Sequence, residues 1–121
     1  LRDLLSVPEN RYNPVYNLEM AEYYLLTKKY RESTEHTKMV ERYKQRLPRE
    51  VYFQRVARMY EVEAKAYEGN FNDSEDVQFL DKAINSWKRF ITHARSSNDA
   101  EKVKQGEDYV GKLEKIKERM Q

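Results

Sequence analysis

Along most of the chain the apolar residues return every three or four positions, the period of a helix with one buried face. The chain is organised around residues 51–67, VYFQRVARMYEVEAKAY, where Phe53, Val56, Ala57 and Tyr60 share one side of a helix. The small residue among them marks where a neighbouring helix can approach closely. Thirty-six residues earlier, Asn17, Met20, Ala21 and Tyr24 repeat the spacing. An echo of that period, with a further helix between the copies, indicates a chain built from repeated helix pairs.

The same periodicity predicts five antiparallel helices. The first covers 15–27, with Asn13 as its cap and Pro14 in its first turn. It is apolar on more than one side and so should be covered on more than one side. After Thr27-Lys28-Lys29 the second returns over 30–47, striped by Tyr30, Ser33, Thr37, Val40, Tyr43 and Leu47, and Pro48 ends it. The third spans 49–68, with Gly69 as its C-terminal stop and 69–73 as loop. The fourth runs over 75–95 from a cap at Asp73 or Ser74, striped by Val77, Leu80, Ile84, Trp87, Ile91 and Ala94. In the fifth, 99–119, Asn98 and Glu101 imitate a capping box, and Val103, Tyr109, Val110, Leu113 and Ile116 make one narrow stripe. A single stripe suits a terminal helix docked by one face. Residues 1–14 carry Leu4, Leu5 and Val7, then Pro8, Asn10, Asn13 and Pro14. They read as an N-terminal arm or a truncated preceding helix, ahead of a single helical domain over 15–121.

The paired spacing resembles the tetratricopeptide repeat, a helix-turn-helix unit of about 34 residues. That family's first helix carries an aromatic residue, then Leu-Gly, then Tyr. Phe53, Val56-Ala57 and Tyr60 are similar, with Ala for Gly, and Asn17, Met20-Ala21 and Tyr24 form a second copy. In the following helices Ala83, Trp87 and Phe90 match the family in part, and Ser33, Thr37 and Val40 match it less. Over 15–96 the resemblance implies an all-α, right-handed solenoid of about two repeats, closed by a C-terminal capping helix. An irregular helical bundle is the alternative. The resemblance further implies a non-enzymatic scaffold that binds a peptide or partner helix in a groove lined by the first helix of each pair. Carried over residue by residue, the groove positions are Leu18, Glu22, Leu25 and Leu26, then Gln54, Arg58, Glu61 and Val62. Chaperone-binding members hold a C-terminal carboxylate with Lys and Asn at such positions, and here only Arg58 could serve.

Composition narrows the chemistry. The 121 residues are 36% charged, with three Gly and three Pro, which suits helices with wet faces. Cysteine is absent, which removes disulfides, thiolate metal sites and cysteine nucleophiles. His36 and His93 fall on different helices without metal-ligand spacing, and His36, in Glu35-His36-Thr37-Lys38, is placed on the wet face. No metal or cofactor is expected. Asn70, Asn72, Asp73, Glu75 and Asp76 are oxygen-rich but lack the alternation of a calcium loop, so helix capping accounts for them. The longest fully apolar run, 23–26, is too short to cross a bilayer. A start at Leu1 reads as a processed protein or an excised domain, part of a longer chain or larger assembly.

The net charge of +2 hides blocks: residues 28–58 carry ten Lys/Arg against four acids, and 59–80 carry one Lys against six. A chain that alternates in this way argues against nucleic acid as the partner. The run Arg42, Lys44, Arg46, Arg49, Arg55, Arg58 is either a solvated face or a weak site for an anionic partner. A small regulatory or enzymatic bundle, with a site not legible from spacing, is the alternative class.

Overall fold

The computed structural model describes residues 8–120. Asn13 starts the first helix by accepting from the Val15 backbone N–H at 2.9 Å, and Pro14 fills the first turn, where no amide proton is needed. Five α-helices follow among the described residues: α1 Pro14–Leu26, α2 Tyr30–Tyr43, α3 Tyr52–Ser74, α4 Val77–Ser96 and α5 Ala100–Met120. No strand occurs among them, and the fold class is all-α. Of the expected arm, Pro8–Tyr12 form a 3-10 turn, while Leu4, Leu5 and Val7 lie outside the described residues.

The helix boundaries differ from the sequence expectation in three places, the smallest at the last helix, where Asp99 and not Asn98 is the cap, its Oδ1 accepting from the Lys102 N–H at 3.1 Å. The second helix stops at Tyr43 and tightens into a 3-10 turn over Lys44–Arg46, because Leu47, which precedes Pro48, is extended at φ −71°, ψ 141°. A second 3-10 turn, Arg49–Val51, then leads into α3. The larger correction is at Gly69, which does not end α3. The helix runs five residues further, to Ser74, and stops at Glu75 in the left-handed region, φ 58°. Gly69 serves packing instead: a β-carbon there would run into the Tyr30 ring. The shifted end moves the next cap as well. Asp76, not Asp73 or Ser74, accepts from the Gln78 N–H at 2.9 Å.

Each helix packs most heavily on its neighbours in sequence. The cross-links set their directions. Tyr30 meets Gly69, Thr37 meets Glu63 and Glu41 meets Tyr60, so α2 and α3 are antiparallel. Phe79 lies against Tyr67 and His93 against Tyr60, so α4 reverses again. Asp81 with Lys117 and Trp87 with Tyr109 make α5 antiparallel to α4. Two reversals leave α1 and α3 side by side in the same direction, with Glu22 Oε1 accepting from Arg58 Nε at 3.1 Å, 36 residues on. The separation equals the period of the sequence echo.

Three of the four echoed pairs occupy equivalent buried positions: Met20 with Val56, Ala21 with Ala57, Tyr24 with Tyr60. Each tyrosine has a histidine against its ring, Tyr24 with His36 at 5.5 Å and Tyr60 with His93 at 5.2 Å. The fourth pair diverges. Asn17 is buried and donates to the Arg11 and Asn13 carbonyls, whereas Phe53 is 43% exposed beside Tyr52. Between α2, α3 and α4 the core gathers Val40, Val56, Met59, Leu80, Trp87 and Phe90. Burying side chains of that size is worth roughly 1.5–3 kcal/mol each against leaving them in water.

Candidate functional site

The parallel run of α1 beside α3 makes a shallow groove, continued by Tyr109 of α5. The depression at its far end, about 430 Å³, is lined by Leu25, Leu26 and Lys28 from α1 and its turn, by Lys65, Glu68 and Asn72 from α3, and by Tyr109. Leu26 is 82% exposed there, the most exposed large apolar side chain among the described residues.

The sequence-derived groove positions divide once placed in the fold. Leu25 is half-buried and Gln54 exposed, both at the surface. Leu18 and Val62 are buried in the core and offer no contact surface. Glu22, Arg58 and Glu61 come together as a charged ladder along the groove. Arg58 Nε donates to Glu22 at 3.1 Å, its Nη1 meets Glu61 at 2.9 Å, and Glu61 takes Lys65 at 2.9 Å. Burial opposes the Arg58 charge, but hydrogen bonds to Glu61 and Glu22 outweigh it and hold the guanidinium above its usual value. Burial likewise pushes Glu61 up, yet Lys65 and Arg58 win and its carboxyl sits below the ordinary range. Arg58 is therefore already neutralised by two carboxylates. It ties α1 to α3 instead of standing free for an anion.

Further along, Trp87 lies flat on Tyr109, with ring centres 4.4 Å apart, and its Nε1–H donates to Glu68 at 2.8 Å. Burial raises the Glu68 carboxyl, offset in part by the Trp87 hydrogen bond and by Lys112 and Lys65. Glu68 and Tyr109, both held from behind by buried Trp87, thus line the depression together with Leu25 and Leu26.

The residues carrying acid–base potential are committed elsewhere. His36, expected on the wet face, is half-buried against Tyr24. Both Asn17 amide protons go to backbone carbonyls, so its Oδ1 accepts from His36 Nδ1 at 3.0 Å. Burial lowers the His36 pKa, with Glu35 opposing, and the neutral imidazole is favoured. His93 bonds the Arg89 carbonyl one turn back. No three His, Asp or Glu side chains gather as a metal could require among the described residues.

Sequence reasoning missed one buried polar centre. Glu63 is only 5% exposed and accepts from Ser86 Oγ at 2.7 Å, with Thr37 Oγ1 at 3.1 Å from its other oxygen. The signal was present: Glu63 falls on the stripe Val56, Tyr60, Tyr67, and Thr37 sits on the stripe of α2.

No protein-family model, curated protein or solved structure matches the chain.

Proposed function

We propose that this chain is a non-enzymatic interaction module of tetratricopeptide-like build, which takes a peptide or partner helix in the groove between α1, α3 and α5. Leu26 carries this reading: a leucine 82% in water, beside half-buried Leu25, at the lip of a depression of about 430 Å³. Scattered exposed apolar residues are ordinary, but one that rims a concavity beside Tyr109, a ring fixed by its stack on buried Trp87, is the usual form of an anchor site. The echoed buried pairs and the 36-residue link from Glu22 to Arg58 support the repeat reading. Lys28 and Lys65 at the rim favour a ligand with an acidic group near its apolar anchor.

A peptide library displayed on phage and selected on the full chain tests the proposal. Selected sequences should share an apolar anchor and lose about tenfold or more of their affinity for Leu26→Asp. The substitution lies at an exposed position and should leave stability within about 0.5 kcal/mol. A selection that yields no consensus, or ligands indifferent to Leu26→Asp, would overturn the groove as the binding site.

A further inference from the structure

We infer that the corner joining α2 to α3 is a second docking surface, separate from the groove, and that its partner is an acidic peptide segment bearing an apolar anchor residue. The corner holds a depression of about 410 Å³ lined by Gln45, Leu47, Arg49, Tyr52 and Phe53. Leu47, Tyr52 and Phe53 give it an apolar side, and Phe53 keeps 43% of its surface in water although it shares the helix stripe of Val56, Ala57 and Tyr60. The echo explains why that is unusual. The equivalent residue on α1, Asn17, is buried and fully hydrogen-bonded, whereas at this position α3 leaves a large ring only partly covered.

Arg49 lines the depression, and the segments that form the corner carry further positive charge. Arg42, Lys44, Arg46, Arg49 and Arg55 are exposed or half-exposed, and among the described residues none pairs with a carboxylate. Glu50 is the one acid between positions 42 and 58. What sets the corner apart is the scarcity of acids along it, whereas Arg58, Lys65 and Lys117 each have a carboxylate within 3 Å. Unpaired like charges held close together repel, and a carboxylate-rich segment relieves that repulsion while meeting arginine forks that fit carboxylates in pairs.

Phosphate-rich partners fit the corner less well, because its rings are already engaged. The Arg46 guanidinium lies over the Tyr43 ring at 5.0 Å, and Tyr12 stands edge-on to the same ring at 5.4 Å. Tyr52 and Phe53 meet edge to face at 5.2 Å and 85°. A single strand stacks its bases on open ring faces in succession, and this corner offers a walled depression in their place. An apolar side chain flanked by Asp and Glu satisfies both parts of the surface at once.

Fluorescence anisotropy of the full chain with a labelled Asp/Glu-rich peptide carrying one Trp tests the inference. Binding should saturate, weaken as salt rises, and drop about tenfold or more for Arg42→Glu combined with Arg49→Glu, which reverse two charges free of structural contacts. Phe53→Ser, or replacing the peptide's Trp by Ser, should cost a similar factor. Leu26→Asp should leave this binding unchanged, so that failure of the corner and failure of the groove are distinguishable. The inference is overturned if no saturable binding is seen, if charge reversal has no effect, or if the peptide without Trp binds equally well. It is also overturned if a single-stranded RNA or an anionic phospholipid vesicle binds more tightly than the peptide at the same salt, which would assign the corner to phosphates.

Discussion

The Thr37 hydroxyl has one proton and two oxygens in reach, the Thr34 carbonyl at 2.9 Å and Glu63 Oε2 at 3.1 Å. If Glu63 is a carboxylate, Thr37 can serve only one of them. If it is a carboxylic acid, its O–H donates to the Thr37 oxygen, Thr37 donates to Thr34, and Ser86 donates to the other carboxyl oxygen, so every group is satisfied. The surroundings favour the acid. Burial raises the Glu63 pKa, Glu41 of α2 adds to it, and hydrogen bonds from Ser86 and Thr37 together with Arg89 of α4 offset only part; Tyr60 and Tyr67 complete the walls from α3 itself. The folded value therefore lies above the unfolded one, near 4.5. The stability contributed by the neutral acid is complete below the unfolded value and is lost as pH rises through the folded one. Glu63→Gln keeps the shape, donates to Thr37 and accepts from Ser86, and should remove that loss. Urea denaturation across pH should thus show the parent weakening relative to Glu63→Gln as pH rises, while Glu63→Ala costs about 1–3 kcal/mol at low pH by stranding the buried Ser86 hydroxyl. Parallel curves for parent and Gln variant would mean that burial does not raise the Glu63 pKa, and a parent that strengthens with pH would mean that the fold favours its carboxylate.

At the scale of an element, Gly69 gives a sign that reverses with its neighbour. Glycine inside a helix ordinarily costs about 1 kcal/mol against alanine, yet Gly69→Ala should destabilise, since the new methyl displaces the Tyr30 ring. In a Tyr30→Ala background the obstacle is gone, and Gly69→Ala should then stabilise by about 1 kcal/mol in thermal unfolding. A stabilising Gly69→Ala in the parent would show the ring contact to be dispensable. The same residue shows why helix ends were harder to read than helices. Periodicity fixed five helices, because a stripe such as Val77, Leu80, Ile84, Trp87 integrates over many turns. A boundary rests on one or two residues, and a glycine that makes room for a ring looks the same in sequence as one that ends a helix. In this fold the left-handed residues after α1, α3 and α4 are Lys28, Glu75 and Asn98, none of them glycine. The site was legible to a similar degree. The repeat register placed Glu22 and Leu25 at positions that are at the surface, but the burial of Leu18 and Val62 and the double pairing of Arg58 depend on how closely α1 and α3 approach. Phe53 was grouped with the core by its spacing alone, while its exposure reflects its place in the first turn of α3.

For the molecule as a whole, the order of helices in space follows their order in sequence, since α1 packs on α2, α3 on α4 and α5 on α4, with α3 also joined to α1 and α2. Contacts between sequence neighbours close short loops, so folding should be fast for a chain of this length, on the order of milliseconds or less. They also make the opening of the structure graded. α3 is held on three sides and buries Val56, Met59, Val62, Ala64 and Ala66. α5 docks mainly on α4 and buries Gly106, Val110 and Leu113. Native-state hydrogen exchange should therefore release the α5 amides through an opening that leaves α3 protected. Exchange of both helices with one common free energy would instead make the domain a single cooperative unit. A graded chain has a consequence for the groove, because Tyr109 travels with α5 while Leu25 and Leu26 stay with α1. Whenever the last helix lifts, the groove loses a wall without the rest unfolding. A ligand that bridges Leu26 and Tyr109 would then slow amide exchange in a helix far from the N-terminal half of its own footprint, so occupancy could be read as a clock at the opposite end of the chain.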